Sequence, residues 1–210
     1  MKLSVQERHK GKKNKMEKKR IILASGSPRR KELLLQIGIV PEIIVSHVEE
    51  KITSDEPSVV VMSLAEQKAV DVAEDMPEGA VVLGSDTVVA ADGKILGKPK
   101  SHEEAYEMIK RLAGRSHQVY TGVCIVKKGP EGEADTVVSF YDETDVNVSP
   151  MTEKEIREYA DSEEPMDKAG SYAVQGFFAR YIEGLKGSYA NVMGLPVHLV
   201  YQKLKELGAV

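Results

Sequence analysis

The residues of this 210-residue chain best suited to chemistry lie in short polar clusters that follow apolar runs. In the first cluster, Ala24-Ser25-Gly26-Ser27-Pro28-Arg29-Arg30, residues 21–24 read as a buried strand and Ser27-Pro28 as the opening of a helix. A helix N-terminus offers free N–H groups and the positive end of its dipole, which favour an anion. Gly26 lets a ligand approach the backbone closely. Two hydroxyls and two guanidiniums are available for phosphate oxygens, and the arginine fork matches such oxyanions geometrically. The same residues also read as an ordinary capped helix with solvated arginines, and their spacing does not separate the two. The segment is not a Walker A loop, which needs Gly-x-x-x-x-Gly-Lys-Ser/Thr.

The second cluster, Gly84-Ser85-Asp86-Thr87, follows the apolar run 80–83. An acidic residue leaving a buried strand stands where α/β proteins place catalytic groups. Asp86 there suits a metal ligand or the base that activates water, although an Asx turn ending the strand is the commoner reading of the pattern alone. Glu49-Glu50 supplies hard oxygen ligands of the kind magnesium or manganese takes, yet such a pair is more often solvated surface. Lys68 and Lys98 are single lysines, and Lys98 is set in a constrained loop by Gly97 and Pro99. The histidines show no metal-ligand spacing, and there is no Gly-x-Ser-x-Gly elbow or Cys/His dyad. The single cysteine, Cys124, lies in the apolar run 122–126 and reads as a core thiol. What remains is a set of phosphate-binding cations with a few carboxylates, which fits metal-assisted hydrolysis of a phosphoryl or nucleotidyl group.

The elements that must position these residues alternate between strand and helix. A helix from Pro28 stops near Gly38, a second strand covers 43–45, and a longer helix runs from Pro57 to about Glu74. Residues 88–90 and 94–96 flank Asp92-Gly93 as a hairpin. Ser101 with Glu104 makes a capping box for a helix to Leu112, and Thr152 with Glu155 caps another. Residues 117–126 and 136–148 read as long strands, residues 163–195 as irregular, and Pro196 opens a last helix to about Leu207. The fold class is α/β with a mixed sheet, because the hairpin and the adjacent long strands exclude a purely parallel one.

These segments, taken in order, resemble the Maf family of nucleotide pyrophosphatases, once described as septum-formation inhibitors. The resemblance is carried by Leu-Ala-Ser-Gly-Ser-Pro-Arg-Arg (23–30), Val-Glu-Glu (48–50), Leu-Ala-Glu-Gln-Lys-Ala (64–69), Gly-Ser-Asp-Thr (84–87) and Leu-Gly-Lys-Pro (96–99). It continues through residues 112–119, 164–172, Val-Gln-Gly (174–176) and Val-Met-Gly-Leu-Pro (192–196). It implies a twisted mixed sheet with flanking helices and two lobes around a cleft, similar to the inosine triphosphate pyrophosphatases. It further implies Asp86 as proton acceptor and metal neighbour, with Glu50 as a metal-linked carboxylate. Ser25, Ser27, Arg30, Lys68 and Lys98 become triphosphate ligands, while Arg29, Thr87 and Gln175 set base preference. The implied activity is hydrolysis of nucleoside triphosphates, dTTP and UTP first, to the monophosphate and pyrophosphate, with Mg2+ or Mn2+ and in a homodimer. A nucleotide-binding regulator of septum formation, acting through a protein partner, is the competing reading.

The net charge of −4 is uneven: residues 1–20 carry nine Lys/Arg and two Glu, a net of +7, which leaves −11 on the rest. So acidic a body argues against nucleic-acid binding, and the basic residues 1–19 read as a disordered tail ahead of a nucleotide pyrophosphatase domain at 20–210. Met16 is a candidate start, since ordered-looking sequence begins at Arg20. No apolar run approaches a membrane span and no secretory signal precedes the domain, so a soluble cytoplasmic protein is expected.

Overall fold

The computed structural model describes residues 20–210, so the expectation of a disordered tail at 1–19 lies outside the described residues. The chain opens with strand β1 (Ile21–Leu23), helix α1 (Pro28–Gln36), the short strand β2 (Glu42–Ile43) and helix α2 (Pro57–Ala73). Strand β3 (Val81–Ala91) turns back as β4 (Lys94–Leu96), and helix α3 (His102–Leu112) follows. Long strands β5 (Ser116–Lys127) and β6 (Thr136–Val148) precede helix α4 (Glu153–Ala160), three short 3-10 turns and strand β7 (Ile182–Lys186). Helices α5 (Tyr189–Met193) and α6 (Val197–Glu206) end the chain.

Local signals account for several boundaries. The α1 helix stops because Gly38 takes φ +78° while its N–H and that of Ile39 bond back to Leu35 and Leu34, a Schellman closure. The β3–β4 turn puts both Asp92 and Gly93 at positive φ, the type I′ geometry that matches strand twist. Thr152 and Glu155 form a reciprocal capping box at α4. At α3 the expected box is half made: Ser101 accepts from the Glu104 N–H, but the Glu104 carboxylate takes the N–H of Lys100.

The sheet runs β2-β1-β3-β5-β6-β7, with β4 paired to β3. Strand β1 is parallel to β2 and β3, whereas β3, β5, β6 and β7 pair antiparallel, so the mixed sheet is as expected. One boundary differs in a way that matters. The run 80–83 does not end before Asp86; β3 continues unbroken from Val81 to Ala91 and places Asp86 in mid-strand opposite Gly122. No Asx turn interrupts it, because β5 pairs with it along this length.

Aliphatic packing divides the molecule around these long strands. Ile22, Val82 and Cys124 pack with Ala65, Ala69 and Val72 of α2 on one face. Leu23, Leu83 and Val123 pack with Leu33 and Leu34 of α1 and Val200 and Leu204 of α6 on the other. A separate core joins the far ends of β3, β5 and β6 to α3 and α4 through Val89, Val119, Val146, Ile109, Ile156 and Phe178. The two lobes thus share the long strands, and the cleft lies between them.

Candidate active site

Helix α2 reaches the strands through two glycines. A side chain at Gly84 would come within 2.8 Å of the Ala69 nitrogen and closer still to the Ala65 carbonyl oxygen. One at Gly122 would lie 2.6 Å from the Met62 nitrogen and closer to the Val61 backbone. Residues without Cβ therefore let the helix backbone rest on β3 and β5. Gly84 and Asp86 share a face of β3, since strand side chains alternate with period two. Close seating at Gly84 holds the turn Ala65–Ala69, and Lys68 within it, against β3: Lys68 Nζ donates to Asp86 Oδ1 at 2.6 Å and lies 2.9 Å from Glu50 Oε1. The Lys68 side chain is 16% exposed, so it is a shielded bridge between two carboxylates rather than a surface charge.

The other β3 face carries Ser85 and Thr87. Arg30, one turn into α1, donates Nε–H to the Gly194 carbonyl at 2.9 Å, Nη1 to Ser25 Oγ at 3.1 Å and Nη2 to Thr87 Oγ1 at 3.2 Å. Burial lowers the affinity of its guanidinium for the proton and Arg29 adds to that, while Asp86 and Glu50 oppose it. Beneath it, Thr87 and Thr121 share a 2.9 Å hydroxyl contact, Thr121 donates to the Asn191 carbonyl, and Ser85 donates to the Gly194 carbonyl. Ser27 is the N-cap residue of α1 and Pro28 opens the helix, as expected, but the Ser27 side chain makes no capping hydrogen bond. Ser25 instead accepts the Ser27 N–H at 3.2 Å.

All of this opens into one cleft of about 480 Å³. Of the residues singled out in the sequence, Ser27, Arg29, Arg30, Glu50, Lys68, Asp86, Thr87, Lys98 and Gln175 line it. Ser25 stands behind them, buried and bonded to Arg30. Glu49 is not part of the lining. The sequence reading missed Asp167 and Lys168, an ion pair on the cleft wall, and Tyr172, whose hydroxyl meets His117 Nε2 at 2.7 Å. It also gave no role to Gly194, whose carbonyl ties Arg30 and Ser85 together. The segments 164–172 and 192–196 were visible as motifs, but a backbone acceptor leaves no side-chain signature.

Buried groups elsewhere carry no reactive character. Burial pushes the Cys124 thiol up to about 11, and it pushes His117 down to about 4, leaving that imidazole neutral near pH 7. No group of three or more His, Cys, Asp or Glu among the described residues forms a metal cage. Glu50 and Asp86 do present two carboxylates on the shared Lys68, and magnesium commonly binds through one or two carboxylates with substrate phosphates and water. The donor set therefore fits a metal brought in with a phosphorylated ligand. No helix among the described residues is long and apolar enough to cross a membrane.

A mixed α/β fold with a cationic cleft, faced from one side by paired carboxylates, defines a protein suited to a phosphorylated ligand. The chain belongs to the Maf-like protein family, whose model matches residues 20–207. A dTTP/UTP pyrophosphatase of Agathobacter rectalis is 49% identical over 203 residues, spanning 90% of this chain and 97% of the relative. One from Lachnoclostridium phytofermentans is 46% identical over 188 residues, spanning 90% and 95%. Among solved structures, a nucleoside-triphosphatase (dITP/XTP pyrophosphatase) from Mycobacterium abscessus has a TM-score of 0.42 at 15% identity, covering 90% of this chain and 97% of its own, a distance at which nothing about the site is transferred.

Proposed function

We propose that this chain hydrolyses nucleoside triphosphates, dTTP and UTP first, to the nucleoside monophosphate and pyrophosphate. The observation that carries the reading is the opposition within one cleft of Lys68, bridging Asp86 and Glu50, to the Arg29–Arg30 helix start. It is supported by relatives of that name at 46–49% identity over 90% of the chain.

In this reading Arg30, Lys68 and Lys98 bind the triphosphate and neutralise its charge, the Ser27 hydroxyl binds beside them, and Ser25 takes part by holding the Arg30 guanidinium. Preorganised cations of this kind stabilise developing negative charge by several kcal/mol. Asp86 accepts the proton of the attacking water, the new bond forms at the α-phosphorus, and pyrophosphate leaves. Its position in mid-strand, where β5 pairs with β3 continuously from Val81 to Ala90, fixes the backbone that carries that carboxylate. A divalent cation, Mg2+ or Mn2+, held by Glu50 and Asp86, would polarise the phosphoryl oxygens and lower the charge barrier to attack. Arg29, Thr87 and Gln175 meet the base: thymine and uracil present two carbonyl acceptors and one N3–H donor, which a guanidinium, a hydroxyl and an amide can match.

Residues 20–210 are the catalytic domain, residues 1–19 are not needed for it, and the working form is a homodimer acting on cytoplasmic nucleotide pools. The test is a panel of nucleoside triphosphates with pyrophosphate detection. Pyrophosphate from dTTP and UTP at the highest kcat/KM supports the reading; a nucleotide that binds but is never cleaved overturns it in favour of a regulator.

A further inference from the structure

The strand–helix framework holds most cleft residues directly, but Gln175 is an exception. Its side chain makes no hydrogen bond among the described residues, and it projects from a turn closed by the Gly176 N–H on the Ala173 carbonyl at 3.1 Å. Where that amide points is therefore decided by what holds the turn.

Two anchors do so. Before the turn, Tyr172 is buried and its hydroxyl is 2.7 Å from His117 Nε2 on β5. After it, the carboxylate of Glu164 gathers three donors. Oε2 accepts the Phe177 N–H at 2.7 Å, and Oε1 accepts the Phe178 N–H at 3.3 Å and the Tyr159 hydroxyl at 3.1 Å. Phe178 is buried against Tyr159 and Tyr172, with both ring centroids 4.9 Å away, so the two anchors join in one aromatic core. Gly176 completes the arrangement: a Cβ there would stand 2.7 Å from Glu164 Oε2 and closer still to Oε1. The carboxylate, fixed by its three donors, has little freedom to yield. Glu164 itself does not line the cleft.

We propose that Glu164 is a positioning residue for base selection, acting through the turn that carries Gln175; this rests on the reading of Gln175 as a base-contacting residue given above. The charged carboxylate offers acceptors to two successive N–H groups, as a side chain does at a helix start. In Glu164→Gln the shape is kept, but one acceptor oxygen becomes an NH2 group facing donors. The turn is then free to shift, and the amide of Gln175 no longer meets the base in one fixed orientation. The phosphate-binding side chains belong to other elements and stay where they are.

The experiment measures kcat/KM for dTTP and dCTP in the full-length protein, in Glu164→Gln, in Gln175→Ala and in the double variant, with Gly176→Ala as a second route to the same displacement. Expected is a loss of dTTP-over-dCTP preference of roughly 10-fold in Glu164→Gln, the scale of one discriminating contact, carried mainly in KM. Gly176→Ala should match it. In the Gln175→Ala background, Glu164→Gln should alter the preference by less than about twofold, because residues acting through one contact are not additive. Equal losses on both nucleotides, or a full further loss on top of Gln175→Ala, would show that Glu164 acts only on stability and overturn the proposal. Should Glu164→Gln fail to fold, Gly176→Ala with and without Gln175→Ala decides between the same two outcomes. If the unaltered protein itself shows no preference for dTTP over dCTP, the reading of Gln175 fails first, and that failure is visible before any variant is compared.

Discussion

A single methyl group placed behind the cleft, on a residue that does not line it, should disable the site. In Gly84→Ala the new Cβ would sit 2.8 Å from the Ala69 nitrogen and nearer still to the Ala65 carbonyl, where ordinary contact begins near 3.4 Å. The obstacles are helix backbone, so α2 must retreat from β3 by roughly 1 Å, since close-packed interiors offer no void to absorb the methyl. Lys68 rides on that helix, and its 2.6 Å bond to Asp86 opens with it. Overpacking of this kind costs about 1–3 kcal/mol of stability. A misplacement of about 1 Å in a catalytic group can cost on the order of 10²-fold in rate. Kinetics on dTTP and thermal melts of Gly84→Ala and Gly184→Ala decide it, since a Cβ at Gly184 meets nothing within 4 Å. The expected outcome is a drop of about two orders of magnitude in kcat/KM for Gly84→Ala, with Gly184→Ala near the unaltered protein in both measurements. Activity of Gly84→Ala within a few-fold of the parent, at an unchanged melting temperature, would refute the link between helix seating and Lys68.

Three further outcomes follow from the same geometry. Asp86→Asn keeps the shape of the side chain but removes the proton acceptor, so turnover should fall by roughly 10²-fold or more with nucleotide binding retained; a variant within a few-fold of the parent rules Asp86 out as the base. Chelation by EDTA should abolish turnover, and because Lys68 pairs with both carboxylates and offsets one of their two charges, calorimetry should find Mn2+ bound weakly alone and more tightly with a non-hydrolysable triphosphate; full activity after exhaustive chelation contradicts this. His117 is held down to about 4 from an ordinary 6.5, so its contribution is present above pH 6.5 and is lost as acid protonates the unfolded chain first. The difference corresponds to about 3 kcal/mol, which denaturant titrations should show as a loss between pH 6.5 and 4 that His117→Gln lacks.

Much of the candidate cleft was legible because its residues are side-chain types that stand next to local signals. Ser25, Ser27, Arg29 and Arg30 announce themselves at a strand-to-helix junction, and the β3–β4 turn is spelled by Asp92-Gly93. What was hidden depends on distant partners. Gly84, Ser85, Asp86 and Thr87 look like a break in an apolar run, yet each is satisfied from elsewhere in the fold. Helix α2 rests on Gly84, Gly194 takes the Ser85 hydroxyl, Lys68 takes Asp86, and Thr121 meets Thr87. Strand β7, Ile-Glu-Gly-Leu-Lys, shows only weak alternation because it is an edge strand with half-exposed residues, and it lies in the stretch read as irregular. The 3-10 turns before it are held by Glu164 and the Phe178 core rather than by local propensity. Spacing likewise could not show that most of the Arg30 fork is already engaged by Ser25, Thr87 and Gly194.

The most direct measurement is hydrolysis of dTTP in oxygen-18-labelled water, with products resolved by mass spectrometry and phosphorus NMR. Attack of an Asp86-activated water on the α-phosphorus yields dTMP carrying the label and unlabelled pyrophosphate. Labelled pyrophosphate would place the attack on the β-phosphorus, and dTDP with orthophosphate would place the cleavage at the wrong bond; either result contradicts the proposed chemistry.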